Sequence, residues 1–347
     1  MELVLKTSDA ATHRGFESYL IRHGLLFTIF IRPYKLNRRW AKKMRGKILV
    51  KAVKLISCLV VISSLLSACT AGTVGGSDER VSEIVSESNF VSEQIEQVKE
   101  ENSSVEVGEY GIPDASCFTV VDVDNGVSIS SYDGEMTAIE IPDSIAGSPV
   151  VAIESGAFTN SEVTGVKIPD SVTLIKEKAF YFCMTLVEVE FGNGVQEVGY
   201  EAFEGCFALT KVSLNQGLKR IGEMAFGNTP SLVDVSLPDS LEFMGEGAFV
   251  LSGIREITVP GSVKTIEEQV FSTCSNLERI VLEDGVESIK HQAFEDCDNL
   301  VSVEIPASVT EIEALAFIYS EETVIEAPKG SVAEAFAEDN GMEFSAQ

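Results

Sequence analysis

The chain has 347 residues, of which 45% are hydrophobic, and a formal net charge of −28 at pH 7. Residues 1–68 carry 13 Lys and Arg against 3 Asp and Glu, whereas the other 279 residues carry 13 against 51. A body this acidic repels phosphate backbones and anionic lipid head groups, which argues against binding of nucleic acid or of a membrane surface by the body.

An export signal is predicted over residues 44–68. MRGKILVKAVK is basic, LISCLVVISSLL is apolar but too short to span a bilayer as a mature helix, and small residues follow. An uncleaved transmembrane helix would need ~20 apolar residues, and the chain meets Ser, Thr and Gly too early for that. LSAC, at residues 66–69, resembles the lipobox of bacterial lipoproteins. The resemblance implies that Cys69 is lipidated, so that the protein is extracytoplasmic, lies on the cell surface and contacts the membrane only through its lipid.

The flanks of this signal are of two kinds. Residues 1–43 are long for an n-region, so we predict that Met44 is the true start and that residues 1–43 are a misassigned extension. Residues 69–108 are rich in Ser, Glu and Gly, a composition typical of a tether. A short 3-4 spacing of apolar residues within residues 69–108 leaves open a self-associating helical stalk. Treated as a flexible coil, ~40 residues give an end-to-end distance of only ~35 Å, so the body is expected to stay close to the membrane.

The rest of the chain is organised by a repeat of 22 or 23 residues. Each unit has a Phe, an aliphatic residue or Met five positions earlier and, after most of the Phe residues, an LxxLxL-like run such as LVEVEF, LTKVSL or LVSVEI. Short β-branched alternation predicts a strand with one buried face. The repeated phenylalanines are Phe158, Phe180, Phe203, Phe226, Phe249, Phe271, Phe294 and Phe317.

This pattern, LxxLxLPxSvxxIxxxAFxxCxxL, resembles the BspA-like subfamily of the leucine-rich repeats over roughly residues 118–345. The resemblance implies a right-handed solenoid with a parallel β-sheet on its concave face, one short strand per ~23 residues, and turns or short helices on its convex face. We place the repeats at residues 141–327. Stacking eight units would bury one continuous core that no single unit can form.

Caps are predicted at both ends of the repeats, where stacking would otherwise expose an apolar layer. At residues 109–140 the sequence predicts a β cap with a hairpin, whose tight turn is expected at Asn125 and Gly126. At residues 328–347 it predicts a short helical cap, with Ser331 and Glu334 spaced as a capping box and a glycine as the helix stop.

The cysteines of the repeats occupy one position, three residues after the Phe, where other units have Ser or Thr. A small inward position accepts all three residue types, whereas chemistry at sulfur would need Cys alone. Free buried thiols are the main expectation. Disulfides within the pairs Cys183/Cys206 and Cys274/Cys297 remain an alternative, because the protein is predicted to be exported and an exported protein can form them. In AFEDCDNL, residues 293–300, the acidic neighbours of Cys297 are interpreted as solvated turn residues.

Catalysis has little support in the sequence. After the signal peptide the chain holds a single histidine, His291, which is interpreted as an exposed turn residue. No nucleophile-and-base arrangement, phosphate-cradling motif, metal site or cofactor site is predicted. A two-carboxylate hydrolase remains an alternative because carboxylates are plentiful.

A binding surface is predicted on the concave face, where strand residues flanking the central apolar position point away from the core. The BspA-like resemblance implies adhesion or the binding of a protein, from a host or from the same surface, and no nucleic acid. A structural envelope component without a soluble ligand is the alternative. The candidate residues are Glu188, Glu190, Lys211, Ser213, Asp234, Ser236, Glu256, Thr258, Arg279, Ser302 and Glu304.

Overall fold

The computed structural model describes residues 107–320 and 322–347. The predicted signal peptide, Cys69 and almost all of the tether therefore lie outside the described residues. Within the described residues, no helix is both long enough and apolar enough to cross a bilayer.

Short strands dominate the described part of the chain. In chain order they are β1 (Phe118–Val123), β2 (Gly126–Tyr132), β3 (Ala138–Glu140), β4 (Ser144–Ile145), β5 (Ser148–Ile153), β6 (Gly165–Lys167), β7 (Leu174–Ile175), β8 (Glu188–Glu190), β9 (Glu197–Val198), β10 (Lys211–Ser213), β11 (Arg220–Ile221), β12 (Phe243–Met244), β13 (Glu256–Val259), β14 (Thr265–Ile266), β15 (Arg279–Leu282), β16 (Ser288–Ile289), β17 (Ser302–Glu304), β18 (Glu311–Ile312), β19 (Val324–Ala327) and β20 (Phe344–Ala346). A 3₁₀ turn covers Ala115–Cys117, and one α-helix, α1, covers Val332–Asn340.

Most strands form two parallel ladders along the solenoid, whereas β1 pairs antiparallel with β2 and β4 pairs antiparallel with β5. The LxxLxL runs form the first ladder, in the sheets β3-β6-β8-β10 and β13-β15-β17-β19-β20. The second ladder comprises β1-β2-β5-β7-β9-β11-β12 and β14-β16-β18. The predicted leucine-rich-repeat solenoid is confirmed. Most repeats also have a second strand, of only two residues, that the sequence analysis did not predict.

A column of stacked phenylalanine rings fills the core. Successive rings from Phe158 to Phe317 have centroids 4.7 to 5.8 Å apart and planes within 27° of parallel. The eight side chains are at most 3% exposed. One ring per repeat at a nearly constant separation explains why the spacing in the sequence stays at 22 or 23 residues.

The amino-terminal cap is an antiparallel hairpin, as predicted, and β2 of the hairpin pairs with β5 of the first unit. The turn lies at Asp124 and Asn125, with Asn125 at φ 69°, one residue earlier than expected. Gly126 already belongs to β2, where a side chain would collide with the carbonyl oxygen of Pro149. Tyr132 extends the ring column, since its ring lies 5.7 Å from that of Phe158.

The carboxy-terminal cap is helix α1 followed by β20, which continues the first ladder. Ser331 accepts a hydrogen bond from the Glu334 amide at 3.2 Å, as in the predicted capping box, but the Glu334 carboxylate accepts its bond from the amide of Gly330, one residue before the N-cap. Gly341 ends the helix at φ 69°, as predicted. Phe336 places its ring 5.7 Å from Phe317 and closes the column.

The turns opposite the first ladder depend on left-handed backbone. The residue two positions after the Phe has positive φ in all eight units, at values between 53° and 71°. Only one of the eight is glycine. These residues are Asn160, Phe182, Gly205, Asn228, Leu251, Thr273, Asp296 and Tyr319. Backbone bonds between adjacent turns, such as the Phe182 amide to the Glu204 carbonyl at 2.8 Å, hold this conformation in place.

Candidate functional site

The first ladder brings the predicted binding residues together in columns. The strand register aligns Glu188, Lys211, Asp234, Glu256, Arg279 and Ser302 along one line of adjacent repeats. In a second line Glu190 lies beside Ser213. Further along the same line, Thr258 and Glu304 lie on either side of Val281. Ser236 lies in a segment without strand pairing.

Exposure separates one of these residues from the rest. Ten of the eleven are exposed or half-buried, whereas Ser302 is only 8% exposed. Val301, the residue before it, is instead 64% exposed. The expectation that Ser302 presents its side chain to a ligand is therefore wrong, because that side chain is buried in the ladder.

Ion pairs between repeats neutralise part of this surface. Lys211 contacts Glu188, Lys167 lies 3.6 Å from Glu190, and Arg279 lies 3.2 Å from Glu304. Each pair links residues on adjacent strands, and exposed pairs of this kind contribute only about 0.2–1 kcal/mol each. Their larger effect is on the distribution of charge, because some carboxylates of this face have a cationic partner and others do not.

A depression of about 360 Å³ lies where the first ladder is interrupted, at the repeat that contains Asp234. Its lining includes five predicted residues: Asp234, Ser236, Glu256, Thr258 and Arg279. It also includes Asp239 and Glu283, which the sequence analysis did not single out. The predicted surface is thus concave at this point and strongly acidic.

A second depression, of about 440 Å³, lies along the second ladder. Gly199, Gly222 and Gly245 follow the second strand in three successive repeats and form part of its lining. Arg220 covers the ring of Phe243 at 4.3 Å. The sequence analysis did not single out this depression, because it assigned no strand there.

The repeat cysteines are free thiols, as are all five cysteines of the described residues. Cys183 and Cys206 are fully buried, and burial raises the pKa of the Cys183 thiol to about 12. For Cys274 burial raises the thiol pKa to about 11. A thiol with such a pKa is protonated at neutral pH and is a poor nucleophile and metal ligand.

A buried pair of carboxyl groups lies in the turn of the third unit. Glu201 is 1% exposed and Glu204 is 8% exposed. Lys178 Nζ lies 3.3 Å from Glu201, and the Asn228 amide donates to Glu204 at 3.3 Å. Burial, followed by the charge of Glu201, raises the pKa of Glu204 well above its usual range. Both groups are covered by the packing of the turns, so the pair has no surface on which to act on a substrate.

No group of three or more His, Cys, Asp or Glu side chains suited to a metal ion occurs among the described residues. His291 is half-buried in its turn, beside Glu295 and Asp296, whose carboxyl pKa values are raised chiefly by burial. Glu295 and Asp296 are thus half-buried rather than fully solvated, and His291 is not the exposed turn residue that was expected, whereas Asp298 is exposed as interpreted. Glu295 accepts hydrogen bonds from Gln292 at 2.8 Å and from Ser272 at 3.2 Å.

Two parallel ladders, a stacked ring column and a cap at each end define the class as a capped leucine-rich-repeat solenoid. The sequence matches the BspA type leucine rich repeat region, in six copies, over residues 151–278 and 201–324. The chain belongs to this BspA-type leucine-rich-repeat family.

Several solved leucine-rich-repeat structures are similar to this chain. A leucine-rich-repeat protein of T. pallidum is 30% identical, with 55% of this chain and 91% of that chain covered and a TM-score of 0.52. A leucine-rich cell surface protein of Faecalibacterium prausnitzii A2-165 is 20% identical, over 67% of this chain and 98% of its own, with a TM-score of 0.29. The pneumococcal vaccine antigen PcpA is 15% identical, over 66% and 96%, with a TM-score of 0.32. A comparison with curated proteins finds no match.

Proposed function

We propose that this protein is a non-catalytic module on the outside of the cell that binds or adheres to a protein partner through the outer face of the first ladder. The observation that carries the proposal is the alignment of exposed charged side chains in columns on that face, in a chain of the BspA-type family. A rigid ladder fixes the spacing of these groups before a partner arrives, which lowers the entropy lost on binding.

The sequence supports a position of the module outside the cell and close to the membrane. The basic, apolar and small-residue segments before Cys69 support export and lipidation at that cysteine, and residues 69–108 support a tether that keeps the solenoid near the membrane. On this proposal the solenoid uses neither a metal nor a cofactor and does not bind nucleic acid, because its surface is strongly acidic.

Capture of partners from envelope and host extracts tests the proposal. The full chain in detergent should capture a defined protein, and reversal of charge at Glu188, Glu190 and Asp234 to Lys should weaken that capture. The matched control reverses three exposed carboxylates away from the first ladder, at Glu197, Glu223 and Glu268. Equal loss in both variants would count against the first-ladder face. Capture of nothing by the intact chain would favour a structural role in the envelope.

A further inference from the structure

The first ladder is interrupted at one repeat. Asp234 is joined to Lys211 and to Glu256 only by isolated bridges, and residues 235–238 belong to no strand. The adjoining unit is one residue short, since Phe249 and Phe271 are 22 residues apart. Gly253 lies in the shortened part, where a Cβ would collide with the backbone carbonyl of Pro230. The shortened unit thus adjoins the repeat where the strand pairing is lost.

The depression at this interruption combines an apolar floor with an acidic rim. Leu237 and Val281 are half-buried in its floor, and Asp234, Glu256 and Glu283 are exposed on its rim. Its volume, about 360 Å³, is near the lower end of the ~300–1,000 Å³ of small-molecule pockets. This volume is enough for a few side chains of a longer segment.

The rim carboxylates differ from the other carboxylates of this face. Glu188, Glu190 and Glu304 each have a cationic partner on a neighbouring strand. Asp234, Glu256 and Glu283 form no salt bridge with any described residue. Arg279, the one cation in the lining, is engaged by Glu304. The carboxylates of this depression thus lack an ion-pair partner of their own among the described residues, and the nearby Arg255, whose charge acts on Asp234 and Glu256, is itself paired with Glu278.

We infer that this depression binds an extended, lysine- or arginine-bearing segment of the protein partner. The methylene stems of such side chains would pack on Leu237 and Val281, and their charged ends would reach the rim carboxylates. Opposite charge would also speed the encounter and select against acidic partners. The inference rests on the proposed function, because it names the chemistry of the partner for that same face.

A labelled peptide in which lysine alternates with valine, flanked by Gly and Ser, serves as the probe. Fluorescence anisotropy with the full chain in detergent should show binding that weakens as salt is added. The rim variant D234N/E256Q/E283Q should weaken binding by about 5- to 10-fold, as three exposed charge pairs would predict. The control E197Q/E223Q/E268Q removes the same number of exposed carboxylates away from the first ladder and should change peptide binding by less than about 2-fold.

A second variant tests the opposite direction. Arg279→Gln removes the one cation from the lining and should tighten binding of the lysine peptide by about 2- to 3-fold. Equal weakening by the rim and control variants would overturn the inference in favour of diffuse attraction. Absence of peptide binding, with capture of a partner still dependent on Glu188 and Glu190, would also overturn it and leave the proposed function intact. If the peptide does not bind and capture of the partner does not depend on Glu188 and Glu190, both proposals are overturned.

Discussion

The thiol of Cys183 donates a hydrogen bond to the main-chain carbonyl of Phe158, one repeat earlier, with the sulfur 2.9 Å from the oxygen. The same bond recurs along the column, from a Cys or Ser of one unit to the Phe of the unit before. The further instances are Cys206 to Phe180, Cys274 to Phe249, Cys297 to Phe271 and Ser320 to Phe294, at 2.9 to 3.2 Å. The position is therefore a small buried donor site in these units, which explains why it accepts Cys and Ser. Thr229 also donates from this position, but to the carbonyl of Phe226 in its own unit at 2.7 Å.

Substitutions at Cys206 test this donor role. Cys206→Ser keeps a donor and should cost less than about 1 kcal/mol of unfolding free energy, whereas Cys206→Ala loses the bond at about 0.5–1.5 kcal/mol plus the effect of the small cavity. Cys206→Val also loses the bond and adds a branch, at about 1–3 kcal/mol. Urea unfolding checks the order. A Val variant as stable as Ser would show that only volume matters.

Alkylation should spare the cysteines of the repeats in the folded protein. Thiols with pKa values of about 12 at Cys183 and about 11 at Cys274 are almost fully protonated at pH 8, and both are fully buried. Iodoacetamide followed by peptide mass spectrometry should find the repeat cysteines unmodified until urea is added. Half-buried Cys117 is the internal control and should react first. Rapid labelling of Cys183 in the native state would contradict the buried donor.

The stability of the solenoid should depend on the protonation of Glu204. Its pKa is raised in the folded state, so the folded protein binds this proton more tightly. The resulting stabilisation is complete below the unfolded pKa of about 4.3 and is lost as the pH rises through the folded value. The glutamine of Glu204→Gln cannot ionise, so this variant does not lose that stability as the pH rises. It should raise the unfolding free energy by roughly 1–3 kcal/mol at neutral pH.

The difference between this variant and the unmodified chain should shrink as the pH falls toward 4, because Glu204 is then protonated in both states. Exposed Glu223→Gln is the matched control and should change stability by less than about 0.5 kcal/mol. Thermal unfolding at several pH values provides the comparison. If the Glu204→Gln variant is less stable than the unmodified chain at pH 7, the carboxylate itself stabilises the turn.

The repeat register was predictable because one unit repeats eight times. Aligning the copies placed the Phe column, and the aliphatic position five residues earlier proved to be the second residue of the unpredicted strand, as in Ile175 and Val198. Cross-repeat ion pairs were also within reach of the sequence. Lys167 and Glu190, like Lys211 and Glu188, are one period of 23 residues apart. Pairing charges at that spacing would have found them.

Other features depend on contacts that no local pattern contains. A strand of two residues has no alternation to detect, so the second ladder is defined only by its neighbours. Left-handed backbone at Phe182 and Leu251 contradicts the preference of these residues for negative φ and is imposed by bonds between adjacent turns. Ser302 and Glu204 are polar residues, and their burial follows from packing across repeats.

The lipid anchor is the prediction with the largest consequence for the site of action. A clickable palmitate analogue fed to an expressing bacterium should label the full chain, and Cys69→Ser should abolish the label and release the solenoid into the aqueous phase of a detergent partition. Cys58→Ser changes a cysteine inside the apolar run and should keep the label. Deletion of residues 1–43 should also leave labelling unchanged, because export needs only the signal that begins at Met44. Label retained on the Cys69 variant would mean that the solenoid reaches the surface by another route, and the charged face of the first ladder would then have to be considered without a fixed distance to the membrane.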